Sequence, residues 1–537
     1  MTKTRAWENY KNNLFYDERL GLYLDYSRMN FPPHYFKGMG PGVQRAFAEM
    51  KLLEAGKIAN PDENRMAGHY WLRAPQLAPT EEIAADIQNT IRDIKEFAAR
   101  VRQGEIRSCT DKKFTKFLLV GIGGSVLGPM LLGDALKTGR DPLTPYYIDN
   151  TDPDGIDDLL DQLQADLDKT IVAVVSKSGG TVETVNGMLE VRHYFASRGL
   201  DFASSAVAVT MTASKLDLAA RREKWLARFP IWDWVGGRTS VTSAAGLLPA
   251  ALQGLDIDAF LQGAGQCDEI TRRTEIRTNP AVLLALSWYH ATGGQAKRAM
   301  VLLPYKDRLR FLTRYLQQLI MESLGKEKDI GGNLVHQGLT VYGNKGSSDQ
   351  HAYVQQLLDG ADDFFVTLIG VLTDNRSEMF YVQPDVTSGD YLRAFLQGTR
   401  EALTAKKRGS LTIILEKLDA RSLGVLLALY ERAVGFYASL ININAYHQPG
   451  VELGKKSAEK EIKLQLKVLQ FLRQNAAQGF TVEELAAALG EPLEMEALFK
   501  MLEYLSLYPQ RGIKKIAGEN IFTARYQMEA FRKPKYE

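Results

Sequence analysis

The sequence predicts an α/β fold with two domains, each a mostly parallel sheet with helices on both faces, followed by a smaller C-terminal module. Three observations carry this. First, a short apolar run breaks into a glycine- and serine-rich loop and then an amphipathic stretch, and the unit occurs twice: Lys116–Val120, 121–125 and 126–136, then Thr170–Val175, 176–181 and 182–191. Buried strands alternating with helices stack as a parallel sheet between helical layers. Second, further apolar runs at 299–303, Phe364–Val371 and 411–415 are interleaved with helical patterns over 307–324 and 422–439. Third, the pattern changes after about residue 455 to short helical segments with cap signals.

A chain of 537 residues is too long for one core, so several domains are expected. Residues 1–110 read mostly as helices and loops that pack on the rest; 80–101 is the clearest helix, with Thr80 as cap and Ile83, Ile87, Ile91 and Ile94 near helical spacing. The first α/β domain is placed at 111–255 and the second at 280–455. The C-terminal part, 456–537, opens with a helix over 464–473. Thr481 with Glu484 three residues on is a capping-box signature, and Gly490 and Pro492 end that helix. A third helix over 495–507 and a hairpin of 513–517 with 521–526 complete a winged-helix-like extension.

Bulk properties narrow the function. The formal charge is +2, from 66 basic and 64 acidic residues, so nothing asks for nucleic acid or a membrane surface as partner. Two cysteines, Cys109 and Cys267, lie far apart, which fits a reducing compartment. The N-terminus is polar from its first residues and has no apolar signal core, and no uninterrupted apolar run approaches about 18 residues. A cytoplasmic protein is expected. The seven histidines are scattered, without zinc-type spacing, so no metal site and no cofactor are expected.

The two loops carry the chemistry. In 176–181 the sequence SKSGGT sets hydroxyls, glycine amides and a lysine at a helix start. Unpaired N–H groups and partial positive charge make such a place suitable for a phosphate. The same loop also reads as an ordinary strand-to-helix turn with Thr181 as cap. The loop at 121–125 is neither GxGxxG nor a P-loop, because Val126 stands at the last glycine position and no GK[ST] follows. Two small-residue loops on neighbouring strand ends define a crevice for a polar phosphorylated ligand.

Six segments in order resemble the glucose-6-phosphate isomerase family: GIGGSVLGP at 121–129, SKSGGTVET at 176–184, GGRTSVTSAAGLL at 236–248, QQLIMESLGK at 317–326, DQHAYVQ at 349–355 and QPGVELGK at 448–455. The resemblance spans roughly 65–460. It implies two sugar-isomerase-type domains and interconversion of glucose 6-phosphate and fructose 6-phosphate through a cis-enediol(ate). It implies that Ser176, Lys177, Ser178 and Thr181 bind the phosphate, that Gly124 and Ser125 line the sugar, and that Gly237 and Arg238 flank the reacting carbons. Glu322 would be the base with Gln318 beside it, His351 the ring-opening histidine, and Gln448 and Lys455 the C-terminal signature. It also implies a homodimer whose active sites are shared between subunits.

The residue types suit those roles. A carboxylate such as Glu322 abstracts at C2 and delivers at C1 on one face, and Gln318 lies four residues earlier on the same helical face. Out of context Glu322 also reads as a surface residue pairing Lys326 at i+4, and Arg238 as half of a structural ion pair. A permanent guanidinium opposes enediolate charge. His351 is expected near the start of a helix over 349–358, and a neutral imidazole there exchanges a proton with the ring oxygen. Lys455 would reach the ring oxygen or the enediolate. Ser347, Ser348 and Asp349 replace the Asn-Gly typical before Gln-His in animal members, and His447 and Pro449 depart from the usual signature around Gln448. Two rival functions stay open: a bifunctional enzyme that also takes mannose 6-phosphate, and a non-catalytic sugar-phosphate-sensing regulator.

Overall fold

The computed structural model describes residues 3–61, 63–374 and 378–529; residues 530–537, assigned above to the C-terminal extension, lie outside them. The chain divides into two compact units, 1–447 and 448–537. The strands that build the sheets of the first unit are β1 (Leu14–Asp17), β2 (Leu22–Arg28), β3 (Lys116–Val120), β4 (Thr144–Ile148), β5 (Thr170–Val175), β6 (Ala206–Thr210), β7 (Ala227–Pro230), β8 (Ala299–Pro304), β9 (Val341–Tyr342), β10 (Phe364–Val371) and β11 (Ser410–Leu415). One sheet has the order β4-β3-β5-β6-β7 and is parallel throughout. The other has the order β1-β2-β11-β10-β8-β9. Its β8, β9, β10 and β11 are parallel, while β1 and β2 form an antiparallel hairpin that docks on β11.

Strand periodicity distributes the side chains. Phe117 and Leu119 of β3, with Val207 and Val209 of β6, enter one apolar core; Leu118 and Val120, with Ala206 and Ala208, enter another on the opposite face. In the second sheet Met300, Leu302, Phe365 and Ile369 join that first core, whereas Val301, Leu303, Val366 and Leu368 face Leu396 and Leu403. The inner faces of the two sheets therefore share one continuous core. Both faces of each sheet are covered, which is why β5 reads TIVAVV without alternation, every residue buried.

Helix Ala420–Leu440 lies in the shared core. It is long and apolar enough to cross a membrane by composition, yet 89% of its most apolar window is buried inside the fold. It crosses helix Ile257–Thr271 at two glycines: a Cβ on Gly263 would sit 1.9 Å from the Arg421 carbonyl oxygen, and one on Gly424 would sit 2.1 Å from that of Phe260. Into this contact the chain sets a buried charge cluster. Arg73 donates to both carboxylate oxygens of Asp268, at 2.6 and 2.9 Å, and also pairs with Glu431. Arg432 donates to Asp268 at 2.9 Å and to Glu54, which also takes Arg272 at 2.7 Å. Burial alone would raise the Asp268 carboxyl; Arg432 and Arg73 outweigh it and hold it at about 2.

The second unit has its own core, in which Val468, Leu472, Leu485, Leu498, Leu502 and Tyr526 are buried together. Helices Val451–Gln474, Val482–Leu489 and Met495–Ser506 accompany an antiparallel sheet in the order Gly479–Phe480, Arg525–Met528, Ile513–Ile516. Thr481 and Glu484 form the expected capping box, and Gly490 ends that helix at φ 69°.

Several sequence expectations differ from the fold, three of them outside the site. The N-terminal segment is not only helices and loops, because β1 and β2 complete the six-stranded sheet; Asp25 is buried there because Arg400 pairs with it. The helix expected over 307–324 breaks into a 3-10 turn Asp307–Leu309, an α-helix Leu312–Leu316 and a π-helical turn Gln317–Glu322. The last strand starts at Arg525 rather than 521, because the Asn520 side chain accepts from the backbone N–H groups of Phe522 at 2.8 Å and Thr523 at 3.2 Å and folds that stretch into the turn.

The cluster generates a stability prediction. Asp268→Asn leaves Arg73 and Arg432 without their shared counter-charge, and breaking a buried pair costs about 3–5 kcal/mol. Urea unfolding of the full chain is expected to show a correspondingly lower midpoint; a midpoint unchanged from the parent would refute the role of the cluster.

Candidate active site

Parallel pairing brings the two small-residue loops side by side. β3 and β5 run in register from Lys116↔Thr170 to Val120↔Val174, so 121–125 and 176–181 leave the same edge at their carboxyl ends. That edge of a parallel sheet is where helix starts and loop amides converge on ligands.

In 176–181, Ser176 donates from its hydroxyl to that of Thr181 at 3.1 Å, and the Gly180 N–H donates to the Ser178 hydroxyl at 3.3 Å. Thr181 occupies the cap position of helix Val182–Ser197 but gives its first turn no side-chain bond, so the plain capping role is not what this hydroxyl does. Gly179 has φ 67°, and a Cβ there would lie 2.7 Å from the Leu216 nitrogen. Lys177 turns to the neighbouring segment: its ammonium donates to the carbonyls of Asp233 at 2.6 Å and Val235 at 2.7 Å. Burial, aided by Arg65, pushes that ammonium down to about 8.

The segment after Val235 carries Gly237 and Arg238. Backbone meets backbone between the loops, since a Cβ on Gly124 would be 2.0 Å from the Gly237 carbonyl oxygen. The Ser240 hydroxyl fastens the contact by donating to the Gly124 carbonyl at 3.0 Å and the Gly237 carbonyl at 2.8 Å. Ser125 is half-buried beside it. Arg238 is held by Ser323 at 3.2 Å, by the Ala445 carbonyl at 3.0 Å and by the His447 carbonyl at 3.4 Å. Its Nε lies 4.0 Å from Glu322 Oε2, with the arginine side chain 5% and the glutamate 22% exposed. Burial pushes the guanidinium below its ordinary value, and Glu322 opposes that.

Glu322 ends the π-helical turn that Gln317 begins. Such single turns are frequent at functional sites. Gln318, in the same turn, brings its amide nitrogen to 3.0 Å from where a Cβ on Gly123 would stand. Both side chains thus reach the touching loops of the first sheet. Lys326 does not pair with the Glu322 carboxylate as the i+4 spacing would allow; its ammonium donates to the main-chain carbonyls of Glu322 at 2.9 Å and Ser323 at 2.8 Å.

His351 is exposed at the end of a 3-10 turn, Ser348–His351, and the α-helix begins only at Val354. The turn is shaped by buried Asp349, whose Oδ2 accepts from the N–H groups of Asn344 at 2.8 Å and Lys345 at 3.1 Å and from the Tyr353 hydroxyl. Gln448 and Lys455 belong to the second unit; both are exposed, and Lys455 is the fifth residue of helix Val451–Gln474. Sequence reasoning passed over Ser240, read Lys326 only as a surface partner for Glu322, and read Asp349 only as a departure from the family pattern. All three stand inside the quoted motifs, but only a folded backbone shows which carbonyls and amides they hold.

Fold and site together define a class of protein: an α/β enzyme that sets a carboxylate against a guanidinium at the ends of parallel strands, a geometry for moving protons on a polar substrate. The sequence pattern of the phosphoglucose isomerase family matches residues 44–475. A glucose-6-phosphate isomerase from Geotalea daltonii is 55% identical over 526 residues, 98% of this chain and 99% of that protein. Another, from Nostoc, is 53% identical over 513 residues, 96% and 97% of the two chains. The crystal structure of a glucose-6-phosphate isomerase from Chlamydia trachomatis superposes with a TM-score of 0.77 at 27% identity, covering 85% of this chain and 91% of that one. The chain belongs to the phosphoglucose isomerase family.

The Gly124–Gly237 contact predicts an effect on turnover. Gly124→Ala forces the loops apart, and a displacement of about 1 Å in a reacting site lowers rates by about 10²-fold. Isomerase turnover within a few-fold of the parent would show that the contact does not set the geometry.

Proposed function

We propose the following assignment of residues to the reaction of this enzyme, an aldose–ketose isomerase that interconverts glucose 6-phosphate and fructose 6-phosphate. The substrate phosphate rests on 176–181, through Ser176, Ser178, Thr181 and the loop amides, with Lys177 fixing the loop to the segment before Arg238. Gly124, Ser125, Gly237, Gln318 and Gln448 line the sugar. His351 and Lys455 move the proton that opens the ring.

Glu322 then takes the C2 proton. The C–H electrons become the C1–C2 double bond, and the C1 carbonyl becomes the enediolate oxygen, which Arg238 faces with its positive charge. A proton passes from the C2 hydroxyl to the C1 oxygen, Glu322 returns its own proton to C1 as the C2 oxygen becomes the ketone, and the carboxylate is regenerated. The observation that carries this reading is the half-buried Glu322 carboxylate 4.0 Å from the Arg238 Nε, next to loops whose glycines leave room for a ligand.

We read the two sheets as the cores of two sugar-isomerase domains, at 111–255 and 280–455, with the N-terminal segment packed on them and a winged-helix-like module at 456–537. The enzyme works in the cytoplasm as a homodimer, and each site borrows His351 from the other chain. Exposure of His351 after the 343–348 loop supports this arrangement.

Two measurements test the assignment. Glu322→Gln keeps the shape and removes the base, so kcat is expected to fall by about 10²–10⁴-fold while substrate binding persists; retention of more than about a tenth of kcat would remove Glu322 from the role. Mixing inactive Glu322→Gln with inactive His351→Ala chains under mild denaturant is expected to restore up to one working site per hybrid dimer. Verified hybrids that stay inactive would place the histidine within its own chain or out of the reaction.

A further inference from the structure

A buried lysine stands behind the proposed base. Lys326 is 4% exposed, and a lysine is seldom removed from water without a partner that offsets the loss. Its partners are the carbonyls of Glu322 and Ser323, at 2.9 and 2.8 Å. These carbonyls lie at the end of the π-helical turn, where a helix leaves acceptors unpaired. The chain turns away directly afterwards at Gly325, whose N–H returns to the Met321 carbonyl at 2.8 Å. The ammonium therefore grips the peptide groups that carry the Glu322 side chain and leaves its carboxylate open.

We propose that Lys326 is a positioning residue for the isomerase reaction: its buried ammonium clamps the backbone of Glu322 and so sets where the carboxylate stands. The proposal rests on the reading of Glu322 as base. Among the described residues two charged groups act on Lys326: Arg238 from the turn Gly237–Thr242, and Glu322 from the π-helical turn. Burial and Arg238 push the Lys326 ammonium down to about 7, while Glu322 pulls it up. The lysine is thus charged on the acid side of neutrality.

The test is kcat and KM measured separately for fructose 6-phosphate in the full chain, compared among the parent, Lys326→Met, Lys326→Gln and Glu322→Gln. Loss of the clamp lets the carboxylate drift from the reacting carbons, which costs turnover more than binding. Both lysine variants are expected to lose kcat by about tenfold with KM within about twofold, because neither side chain holds both carbonyls. Lys326→Gln keeps a donor for the carbonyls and carries the test if the Met variant does not fold. In Lys326→Gln, a kcat within about twofold of the parent, or a KM that rises as much as kcat falls, would make the lysine a structural cap and overturn the proposal. Near-parental activity in Glu322→Gln would instead remove the base, and the proposal with it.

Discussion

Everything in the larger unit hangs on the requirement that its fully buried charges satisfy one another. Asp268 can be ionised in the core only because Arg73 and Arg432 both reach it, and Arg432 in turn needs Glu54. Those residues come from the N-terminal segment and from two crossing core helices, so neither helix can shift without uncovering a charge. Tyr315, in the helix that runs into the π-helical turn, bonds Glu431 at 3.4 Å. The cluster therefore touches the element that carries Glu322. A hydrophobic substitute would supply burial but not this register, because apolar contacts slide and charge pairs do not.

The site uses the opposite device. Where the core is fixed by long polar side chains, the reacting crevice is fixed by missing ones. Gly124 and Gly237 let two loops meet at the backbone, and Ser240 pins them through their carbonyls. Arg238 is then held by three groups on other segments, which leaves its Nε side toward the carboxylate. Rotamer freedom is removed before substrate arrives, the condition under which an electrostatic group does most for a transition state.

Much of this was legible in the sequence. β3, β5 and β10 were read with the bounds they have, because a strand covered on both faces is a compact apolar run. The Thr481–Glu484 box was read because capping is local chemistry. β4 and β7 were not read; each is only partly buried and lacks such a run. β1 and β2 were hidden because Asp25 and Ser27 look like surface residues until Arg400, far along the chain, is placed beside them. In the site, motif spacing named Glu322 and Arg238 but gave no sign that a π-helical turn presents one to the other. The i+4 spacing of Glu322 and Lys326 pointed to an ion pair; the fold directs the lysine to main-chain carbonyls, since burial makes unpaired peptide oxygens the more pressing need.

The docking of the N-terminal hairpin on β11 has a bearing on how the molecule is made. The parallel five-stranded sheet uses strands that all fall between Lys116 and Pro230, so it can close as soon as that stretch has left the ribosome. The six-stranded sheet cannot: Asp25 of β2 pairs with Thr412 of β11, and the first strands synthesised must wait for the last. Loop closure over that span is slow to nucleate. During synthesis the hairpin presents an open edge to its surroundings, a template for pairing with other chains. The order of assembly is thus written into the topology: the β1–β2 hairpin is made before β11 but locked in only after it, and the nascent chain's exposure to chaperones and to misassociation is concentrated at that hairpin.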